Sequence, residues 1–398
     1  MSKYFESQPD SETIRKKMEG FQNWLEIDLD AIGHNIQEVK NKVGNAEIVP
    51  CVKANGYGHG IVPCVAYMQT QGVKRVLVAK LWEALQLREA GLDIGIVCID
   101  PLFSPDQFET VVDVDIIQTI YQKKPARMLS EAAEKLGKEA KIWIKVDTGL
   151  GRVGVRWSEA PELIKYVTSL PGLNINGMFS TFSEDEELDK KQVERLLNID
   201  STVTQMGIDT GTKSIASSNA VIHKPYSYLD AVRPGLMLFG LYPEKEDMGK
   251  GIELKQSMAW KVRVEHVKTI EKGESLTYSR RFVAPERMKV GTLHVGYRDG
   301  YPRSLTNKGS VRVNDEMKPL LGTVSVNHFI VDLSGTDIQP GDTIEALSRE
   351  GENNATNLAN LAGIMTYSLA NHMNMLTPRV YYRDGKPVAL CKPNLCEE

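Results

Sequence analysis

A lysine and a glycine-rich loop stand side by side near the start of the chain. Lys53 follows an apolar run at 47–52 and precedes a loop that contains Gly56, Gly58 and Gly60. The amine of such a lysine can form a Schiff base with a carbonyl compound, and the glycines let backbone N–H groups approach an anion. A surface lysine before a flexible loop explains this segment alone equally well.

Two arginines and a tyrosine occur in comparable settings. Arg152 ends the run Asp-Thr-Gly-Leu-Gly-Arg, Arg233 precedes Pro-Gly, and Tyr297 opens the run Tyr-Arg-Asp-Gly-Tyr-Pro-Arg. An arginine holds a carboxylate or phenolate through two parallel N–H donors, whereas a Tyr-x-Asp-Gly run is also compatible with a plain turn. These three residues and Lys53 are the candidate site residues.

A parallel sheet is the element that would position these side chains. Short β-branched apolar runs alternate with amphipathic stretches such as 81–90 and 121–136, which is typical of βα units. Eight such units predict an α/β fold with an N-terminal TIM-type (β/α)8 barrel, and an open doubly wound sheet is the alternative. The runs span 47–52, 75–79, 95–98, 115–119, 141–146, 173–178, 214–216 and 230–232.

The pattern changes after Pro243, where strand-like runs are separated by Gly and Pro turns. These runs lie at 260–267, 289–295, 309–313, 322–333 and 342–347. We therefore predict an N-terminal extension at 1–22, a barrel domain at 23–242 and a C-terminal, mainly β domain at 243–398. A strand at 24–29 precedes the barrel and is expected to pair with the C-terminal domain.

Composition excludes several classes of protein. The 398 residues carry 48 basic and 52 acidic side chains, a net charge of −4, so no basic field exists to hold nucleic acid. No stretch approaches the roughly 18 apolar residues of a membrane span. We expect a cytoplasmic protein with reduced thiols, and no metal site, because neither the histidines nor the cysteines have metal-ligand spacing. The cysteines are Cys51, Cys64, Cys98, Cys391 and Cys396.

Taken together, these segments resemble the alanine racemase family, pyridoxal-phosphate enzymes with an N-terminal barrel and a C-terminal β domain. The resemblance covers about residues 21–385 and rests on the order and separation of five motifs. After the lysine loop come Asp-Thr-Gly-x-Gly-Arg, Val-Arg-Pro-Gly, Gly-Tyr-x-Asp-Gly-Tyr-Pro-Arg and Thr-Pro-Arg-Val-Tyr, the last ending at Tyr381. It implies an isomerase that uses pyridoxal 5′-phosphate to interconvert L- and D-amino acids.

The resemblance also implies catalytic roles. Lys53 would hold the cofactor covalently and then act as one of two acid–base groups, and Tyr297 would be the other. Racemisation removes a proton from one face of the α-carbon and returns one to the opposite face, so two groups are needed. Because the family takes its tyrosine from the other subunit, a homodimer with shared active sites is implied.

Cofactor and substrate contacts are implied for further residues. Arg152 would contact the cofactor ring oxygen or the substrate carboxylate, and Arg233 would face the pyridine nitrogen. Lys145 would be carbamylated, as the matching lysine is in many relatives, and an unmodified lysine paired with a carboxylate is the alternative. Phosphate binding would fall to Tyr57, Ser218, Asn219, Gly235, Leu236 and Tyr367.

Some positions depart from the family pattern. Ser180-Thr181-Phe182 replaces the usual Thr-His-Phe, and 323–328 reads Thr-Val-Ser-Val-Asn-His where Arg-x-Cys-Met-Asp-Gln is usual. Val326 and Asn327 would therefore line an altered substrate pocket. We expect this pocket to admit longer amino acids such as ornithine or lysine beside alanine. The acidic run 184–187 is either a rim of that pocket or a solvated helix start.

Two alternatives to a racemase share the lysine and phosphate sites. A non-catalytic pyridoxal-phosphate carrier would be a lone barrel, whereas this chain continues into a β domain with Tyr297. A decarboxylase of related fold is disfavoured by the racemase-like segment around the same tyrosine. His59 is expected to be a hydrogen-bonded residue of the glycine loop and not a catalytic base, because Lys53 already fills that role.

Overall fold

The computed structural model describes residues 3–392. The chain divides into two compact units, which we call the barrel unit and the sheet unit. The barrel unit contains residues 36–54 and 68–235. The sheet unit contains the residues up to 35, 55–67 and those from 236 onward.

Strands are numbered in chain order. They are β1 (Asn23–Asp28), β2 (Glu47–Ile48), β3 (Arg75–Val78), β4 (Gly95–Cys98), β5 (Ile117–Ile120), β6 (Ala140–Asp147), β7 (Val155–Arg156), β8 (Leu173–Phe179), β9 (Thr212–Ser214), β10 (Ala231–Val232), β11 (Met258–Ile270), β12 (Ser275–Leu276), β13 (Phe282–Val283), β14 (Met288–Leu293), β15 (Ser310–Val313), β16 (Glu316–Leu321), β17 (Phe329–Asp332), β18 (Thr343–Leu347), β19 (Arg379–Arg383) and β20 (Lys386–Cys391).

The α-helices are numbered in the same way. They are α1 (Lys3–Glu6), α2 (Ser11–Met18), α3 (Leu29–Val43), α4 (Lys53–Tyr57), α5 (Ile61–Thr70), α6 (Leu81–Glu89), α7 (Pro105–Asp113), α8 (Lys123–Leu136), α9 (Ala160–Thr168), α10 (Glu186–Thr204), α11 (Ser218–His223), α12 (Ala355–Ala362) and α13 (Thr366–Asn371). None of the helices in residues 3–392 has the length and apolar character needed to span a membrane.

The barrel unit is a ring of parallel strands. Hydrogen-bonded neighbours follow the order β2, β10, β9, β8, β6, β5, β4, β3, and a parallel bridge between Cys51 and Leu77 joins the two ends. The predicted (β/α)8 barrel is therefore confirmed and the doubly wound alternative is wrong. Each of the eight predicted apolar runs overlaps one strand of the ring.

Inward-facing apolar side chains fill the barrel, because alternate residues of a barrel strand face its interior. Both predicted helices, α6 and α8, are present. In α8 the apolar positions are buried and Gly137 ends the helix in the left-handed conformation. The interior cluster consists of Val49, Leu77, Val97, Ile117, Trp143, Phe179 and Ala231.

The sheet unit is built on a mixed nine-stranded sheet of order β14, β17, β16, β15, β18, β11, β1, β19, β20. β1 lies between β11 and β19, antiparallel to the first and parallel to the second. Apolar residues around α2, β1 and β19 pack into one buried cluster, which contains Ile14, Phe21, Trp24 and Val380. The predicted domain boundaries at 22 and 242 remain a prediction.

One predicted strand is shorter than expected. Residues 322–328 are not a strand, and only Phe329–Asp332 of the run 322–333 pairs as β17. Gly322 has a φ of +77°, the Thr323 N–H donates to Thr277 Oγ1 at 2.9 Å, and the Ser325 N–H donates to the His328 carbonyl at 2.8 Å. These local bonds replace a strand ladder and make the segment a turn.

Candidate functional site

Two of the predicted site residues follow barrel strands, Lys53 after β2 and Arg233 directly after β10. The Val52 N–H donates to the Leu77 carbonyl at 2.9 Å, and Lys53 is the next residue. The Arg233 N–H donates to the Ala216 carbonyl at 2.8 Å, just beyond β10. Because the strands are parallel, their carboxyl ends lie at one end of the barrel, which is the end where (β/α)8 enzymes place their active sites.

Lys53 begins α4, a single short turn whose other residues are left-handed. The four residues after Lys53 have positive φ angles: Ala54 at 54°, Asn55 at 55°, Gly56 at 61° and Tyr57 at 50°. Non-glycine residues rarely adopt this region, and such strain persists only where the surroundings enforce it. Asn55 supplies part of that support, since its side chain accepts from the Ile61 N–H at 2.9 Å.

A buried lysine lies on β6 in the barrel unit. Lys145 donates from Nζ to Thr181 Oγ1 at 2.6 Å, and the nitrogen is 4.5 Å from the centre of the Phe179 ring. Burial, together with the positive charges of Arg233 and Arg152, holds its pKa well below the usual range of lysine. The carboxylate of Asp147 acts in the opposite direction and raises this pKa, so the unmodified lysine beside a carboxylate remains the alternative to carbamylation.

Arg233 is the second buried cation of the barrel unit. Its Nη2 donates to the carbonyls of Ser180 and, at 3.3 Å, Ile215, and its guanidinium carbon lies 4.9 Å from the Phe179 ring centre. Burial lowers its pKa to about 10. Its Nε is buried and has no hydrogen-bond partner within the described part of the chain. One donor therefore remains for an acceptor that a ligand would bring.

Arg152 lies in an exposed loop after β6. Asp147 shapes this loop, because its Oδ1 accepts from the N–H groups of Gly149 at 3.0 Å and Gly151 at 3.1 Å. The structure thus places Arg152, Lys145 and Arg233 close enough for the two arginines to act electrostatically on the lysine.

Sequence reasoning missed two residues of α10 whose hydrogen bonds hold this loop in place. Gln192 on α10 donates from Nε2 to Thr148 Oγ1 at 3.1 Å and to the Thr181 carbonyl at 3.0 Å. Arg195 donates to the Thr148 carbonyl at 2.6 Å. The signal was present, because Gln192 lies on the apolar face of α10 that also buries Val193 and Leu196.

Two predicted phosphate-binding residues are brought together in the barrel unit. Ser218 opens α11, and its Oγ accepts from the Gly235 N–H at 2.9 Å. Asn219 is the next residue of the helix and is half-buried. The structure therefore joins Ser218 and Gly235 directly.

The sheet unit contains the other predicted phosphate-binding residues. The rings of Tyr57 and Tyr367 lie 5.9 Å apart between centres and meet edge to face. Tyr57 also lies 5.9 Å from the ring of Phe239, which ends a short 3-10 helix that begins at Leu236. The two tyrosines and this short 3-10 helix therefore lie next to one another.

The glycine loop is fixed by residues whose role the sequence did not indicate. Arg379 donates from Nε to the Gly58 carbonyl at 2.7 Å, and the Tyr381 hydroxyl donates to the His59 carbonyl at 3.0 Å. A Cβ on Gly58 would lie 2.2 Å from the Ala370 carbonyl oxygen, so only glycine fits. In the sequence, the Thr-Pro-Arg-Val-Tyr motif contributed only to the family resemblance. In the structure, its arginine and tyrosine hold the loop that follows Lys53.

His59 is a structural residue of the same loop, as predicted. It is buried, its Nδ1 lies 3.1 Å from the Gly56 carbonyl oxygen and 3.0 Å from that of Tyr57, and its ring stacks on Phe239. Burial lowers its pKa to about 3, so the imidazole is neutral.

Tyr297 and the predicted substrate residues lie on adjacent loops of the sheet unit. The Tyr297 N–H donates to the Ser325 carbonyl at 3.0 Å, and the Arg298 N–H donates to that of Val326 at 3.1 Å. The side chains of Tyr297 and Val326 are 44% and 43% exposed, and Asn327 is half-buried. The structure thus brings the candidate base and the altered substrate segment together.

The acidic run begins α10. Asp185 caps the helix by accepting from the Leu188 N–H at 2.9 Å, and 184–187 are exposed. This geometry matches a solvated helix start.

Comparison with known families gives two adjoining matches. Residues 27–243 match the family model described as alanine racemase, N-terminal domain. Residues 257–381 match the model described as alanine racemase, C-terminal domain.

Similar proteins carry the same description. The alanine racemase of Clostridium tetani is 36% identical over 380 residues, which cover 92% of this chain and 97% of the relative. The alanine racemase of Halothermothrix orenii is 34% identical over 366 residues, or 90% and 96% of the two chains. The solved alanine racemase of Clostridium difficile 630 superposes with a TM-score of 0.89 at 26% identity and covers 94% and 100%.

Proposed function

Since the chain belongs to the alanine racemase family, we propose that it is a pyridoxal 5′-phosphate-dependent racemase that interconverts L- and D-alanine. The observation that carries this proposal is the pair of family matches, which together extend over both the barrel and the C-terminal strands. The relatives named alanine racemase catalyse an isomerisation of an amino acid. Their sequence similarity to this chain extends over most of its length.

The residues of the barrel unit fit an anionic, aromatic cofactor. Lys145, Arg152 and Arg233 form a group of three basic side chains, and the buried Nε of Arg233 lacks an acceptor within residues 3–392. An unprotonated pyridine nitrogen is such an acceptor, and a phosphate group suits hydroxyl and amide donors such as those of Ser218 and Gly235. We assign the same phosphate role to Asn219, Leu236, Tyr57 and Tyr367.

Lys53 is the proposed anchor and the first acid–base group. Pyridoxal phosphate, when bound, condenses with amines and takes up the electron pair released when the Cα–H bond of an amino acid breaks. The Lys53 amine would hold the cofactor covalently and, as a free amine, would accept or donate the α-proton of the substrate. Its position at the carboxyl end of the first barrel strand supports this role.

Tyr297 is the proposed second acid–base group. Its phenol accepts or donates a proton on the face of the α-carbon opposite to Lys53, so that the configuration is inverted. We propose that it acts in the partner subunit of a homodimer. The exposure of Tyr297 and Val326 supports this, because a second copy of the chain could reach both side chains.

Arg152 and Arg233 are proposed to set the charge around the reacting groups. The guanidinium of Arg152 binds the cofactor ring oxygen or the substrate carboxylate. Arg233 donates a hydrogen bond toward the pyridine nitrogen and, being cationic, disfavours protonation of that nitrogen.

Lys145 is proposed to be carbamylated. Burial and the nearby arginines lower the pKa of this amine, which raises its uncharged, nucleophilic fraction. The amine adds to dissolved carbon dioxide, forming an N–C bond and losing one proton, and the product is an anion. This anion would balance the charges of Arg152 and Arg233, which supports the modification.

The two alternatives to a racemase receive less support. A lone-barrel carrier does not explain the match of 257–381 to the C-terminal domain model. A decarboxylase is disfavoured because the relatives that match along the chain are named alanine racemases. The cysteines among residues 3–392 form no disulfide with one another, which supports a cytoplasmic location; they are Cys51, Cys64, Cys98 and Cys391, and Cys396 lies outside the described residues.

Chiral chromatography tests the proposed function. The purified protein with pyridoxal phosphate should convert either enantiomer of alanine to the racemic mixture. Lys53→Ala should abolish this conversion, while Lys80→Ala, a lysine that also follows a barrel strand, should leave it intact. Borohydride reduction should fix the pyridoxyl group on Lys53, and its recovery on another lysine would contradict the assignment.

A further inference from the structure

Three potential metal ligands meet in the sheet unit, and the proposed racemisation uses none of them. Glu265 Oε2 lies 3.3 Å from His294 Nδ1 and 3.0 Å from His328 Nε2. The two imidazole rings lie 4.6 Å apart between centres. A single carboxylate oxygen is therefore shared by two imidazoles.

The strand pairing brings these residues together and holds them. Leu293 of β14 pairs with Phe329 of β17, so His294 and His328, one position beyond each, face each other across the ladder. The pairing of β11 with β14 is interrupted at Glu265 by a β-bulge between Val264 and His266. A bulge changes the direction of a side chain, and here the carboxylate points at both rings.

The distances match those between ligands of a small divalent ion. Zinc lies about 2.0–2.2 Å from imidazole nitrogen and carboxylate oxygen, so two ligands of a tetrahedral site are about 3.4 Å apart. The two Glu265–histidine distances already lie near this value, and the three ligand atoms all lie within 4.8 Å of one another. Binding an ion therefore requires only small side-chain movements.

We propose that Glu265, His294 and His328 bind one divalent transition-metal ion of the zinc class. Two imidazole nitrogens with one carboxylate oxygen favour zinc, copper or nickel over calcium and magnesium, which prefer oxygen ligands alone. The side chains are 36% to 48% exposed, so an ion can enter from solvent and water can complete its coordination. The expectation of no metal site is revised here, because the ligands come from three separated segments and have no recognisable spacing in the chain.

Zinc binding by the full-length protein tests this site. Isothermal titration calorimetry with zinc chloride should show saturable binding at this site. Zinc should also raise the melting temperature of the protein. His294→Gln, His328→Gln and Glu265→Gln should each weaken binding at least about tenfold. His266→Gln changes an exposed histidine of the same strand outside the cluster and should bind zinc like the unmodified protein.

The outcomes separate this site from other zinc-binding groups. If the three variants bind as tightly as His266→Gln, the ion binds elsewhere, for example at a cysteine, and the proposal is wrong. The absence of saturable binding by the unmodified protein would also overturn it. Circular dichroism of each variant tests whether the fold is kept. We expect it to be kept, because the three side chains are partly exposed.

Discussion

At the scale of single residues, two of the basic side chains proposed for the site, Lys145 and Arg233, are buried in the barrel unit. Lys53, Arg152 and Arg233 were identified from their types and from their places after apolar runs, and the structure places Lys53 after β2 and Arg233 directly after β10. Gln192 was missed, although it lies on the buried face of a helix. A polar residue in an apolar stripe reveals that it has a partner, but only the fold shows that the partner is Thr148.

A residue-scale prediction concerns Lys145. Because burial and two arginines lower the pKa of its amine, the protein in ¹³C-labelled bicarbonate should show a carbamate signal by NMR. Lys145→Ala should lose this signal. Lys141→Ala, which removes an exposed lysine of the same strand, should keep it. A free Lys145 amine, with activity indifferent to bicarbonate, would contradict the modification.

At the scale of elements, the glycine loop was predicted but its packing was not. Glycines in the sequence indicate a backbone that turns tightly or that other atoms approach closely. The sequence does not indicate which atoms approach it, because they come from distant parts of the chain. Arg379 and Tyr381 bind the carbonyls of Gly58 and His59, more than three hundred residues away. Such contacts have no local signal, so only the resemblance pointed to this motif.

Substitution of Gly58 should damage this loop specifically. In Gly58→Ala the added Cβ would lie 2.2 Å from the Ala370 carbonyl oxygen, and the φ of +80° is unfavourable. We expect a loss of about 2–4 kcal/mol in unfolding free energy and a large fall in turnover. Gly91→Ala, at φ +72° with no atom within 4 Å, should cost only about 1 kcal/mol and leave turnover unchanged. Equal effects in urea unfolding would show that crowding is not the cause.

The burial of His59 in the same loop predicts that the free energy of unfolding depends on pH. His59 has a pKa of about 3 when folded against 6.5 ordinarily, so between these values the unfolded chain binds a proton that the folded protein does not. Stability should therefore fall as the pH falls below 6.5, by about 1.4 kcal/mol per pH unit from this residue. His59→Gln should lose this contribution in urea unfolding, and His266→Gln should keep it. Identical pH slopes for His59→Gln and the unmodified protein would refute the assignment.

At the scale of the whole molecule, the barrel was predictable because eight short, largely β-branched apolar runs alternate with amphipathic stretches. The sheet unit was predicted less completely, since β16, β19 and β20 were not recognised and the run 322–333 was read as one strand. β16 does not look like a strand in the sequence, because Glu316 and Lys318 are charged and Pro319 cannot donate a ladder hydrogen bond. The cluster around Glu265 could not be predicted, because it depends on strand pairing and a bulge.

Mixed dimers test the proposal that two copies share each active site. A Lys53→Ala chain combined with a Tyr297→Phe chain should rebuild one intact site per hybrid, with about half the activity of the unmodified dimer. The other site of each hybrid carries both changes and should be inactive. Each variant alone supplies the control. Well-formed hybrids without activity would mean that both groups act within one chain.

The most direct test of the account is proton exchange by Tyr297→Phe in deuterium oxide. The unmodified protein should introduce deuterium at the α-carbon while it converts each enantiomer of alanine to the other. With Lys53 as the remaining base on one face, Tyr297→Phe should exchange the α-hydrogen of one enantiomer and form almost none of the other, as measured by NMR with chiral chromatography. Racemisation at the unmodified rate, or equal exchange into both enantiomers, would contradict a mechanism with Lys53 and Tyr297 on opposite faces.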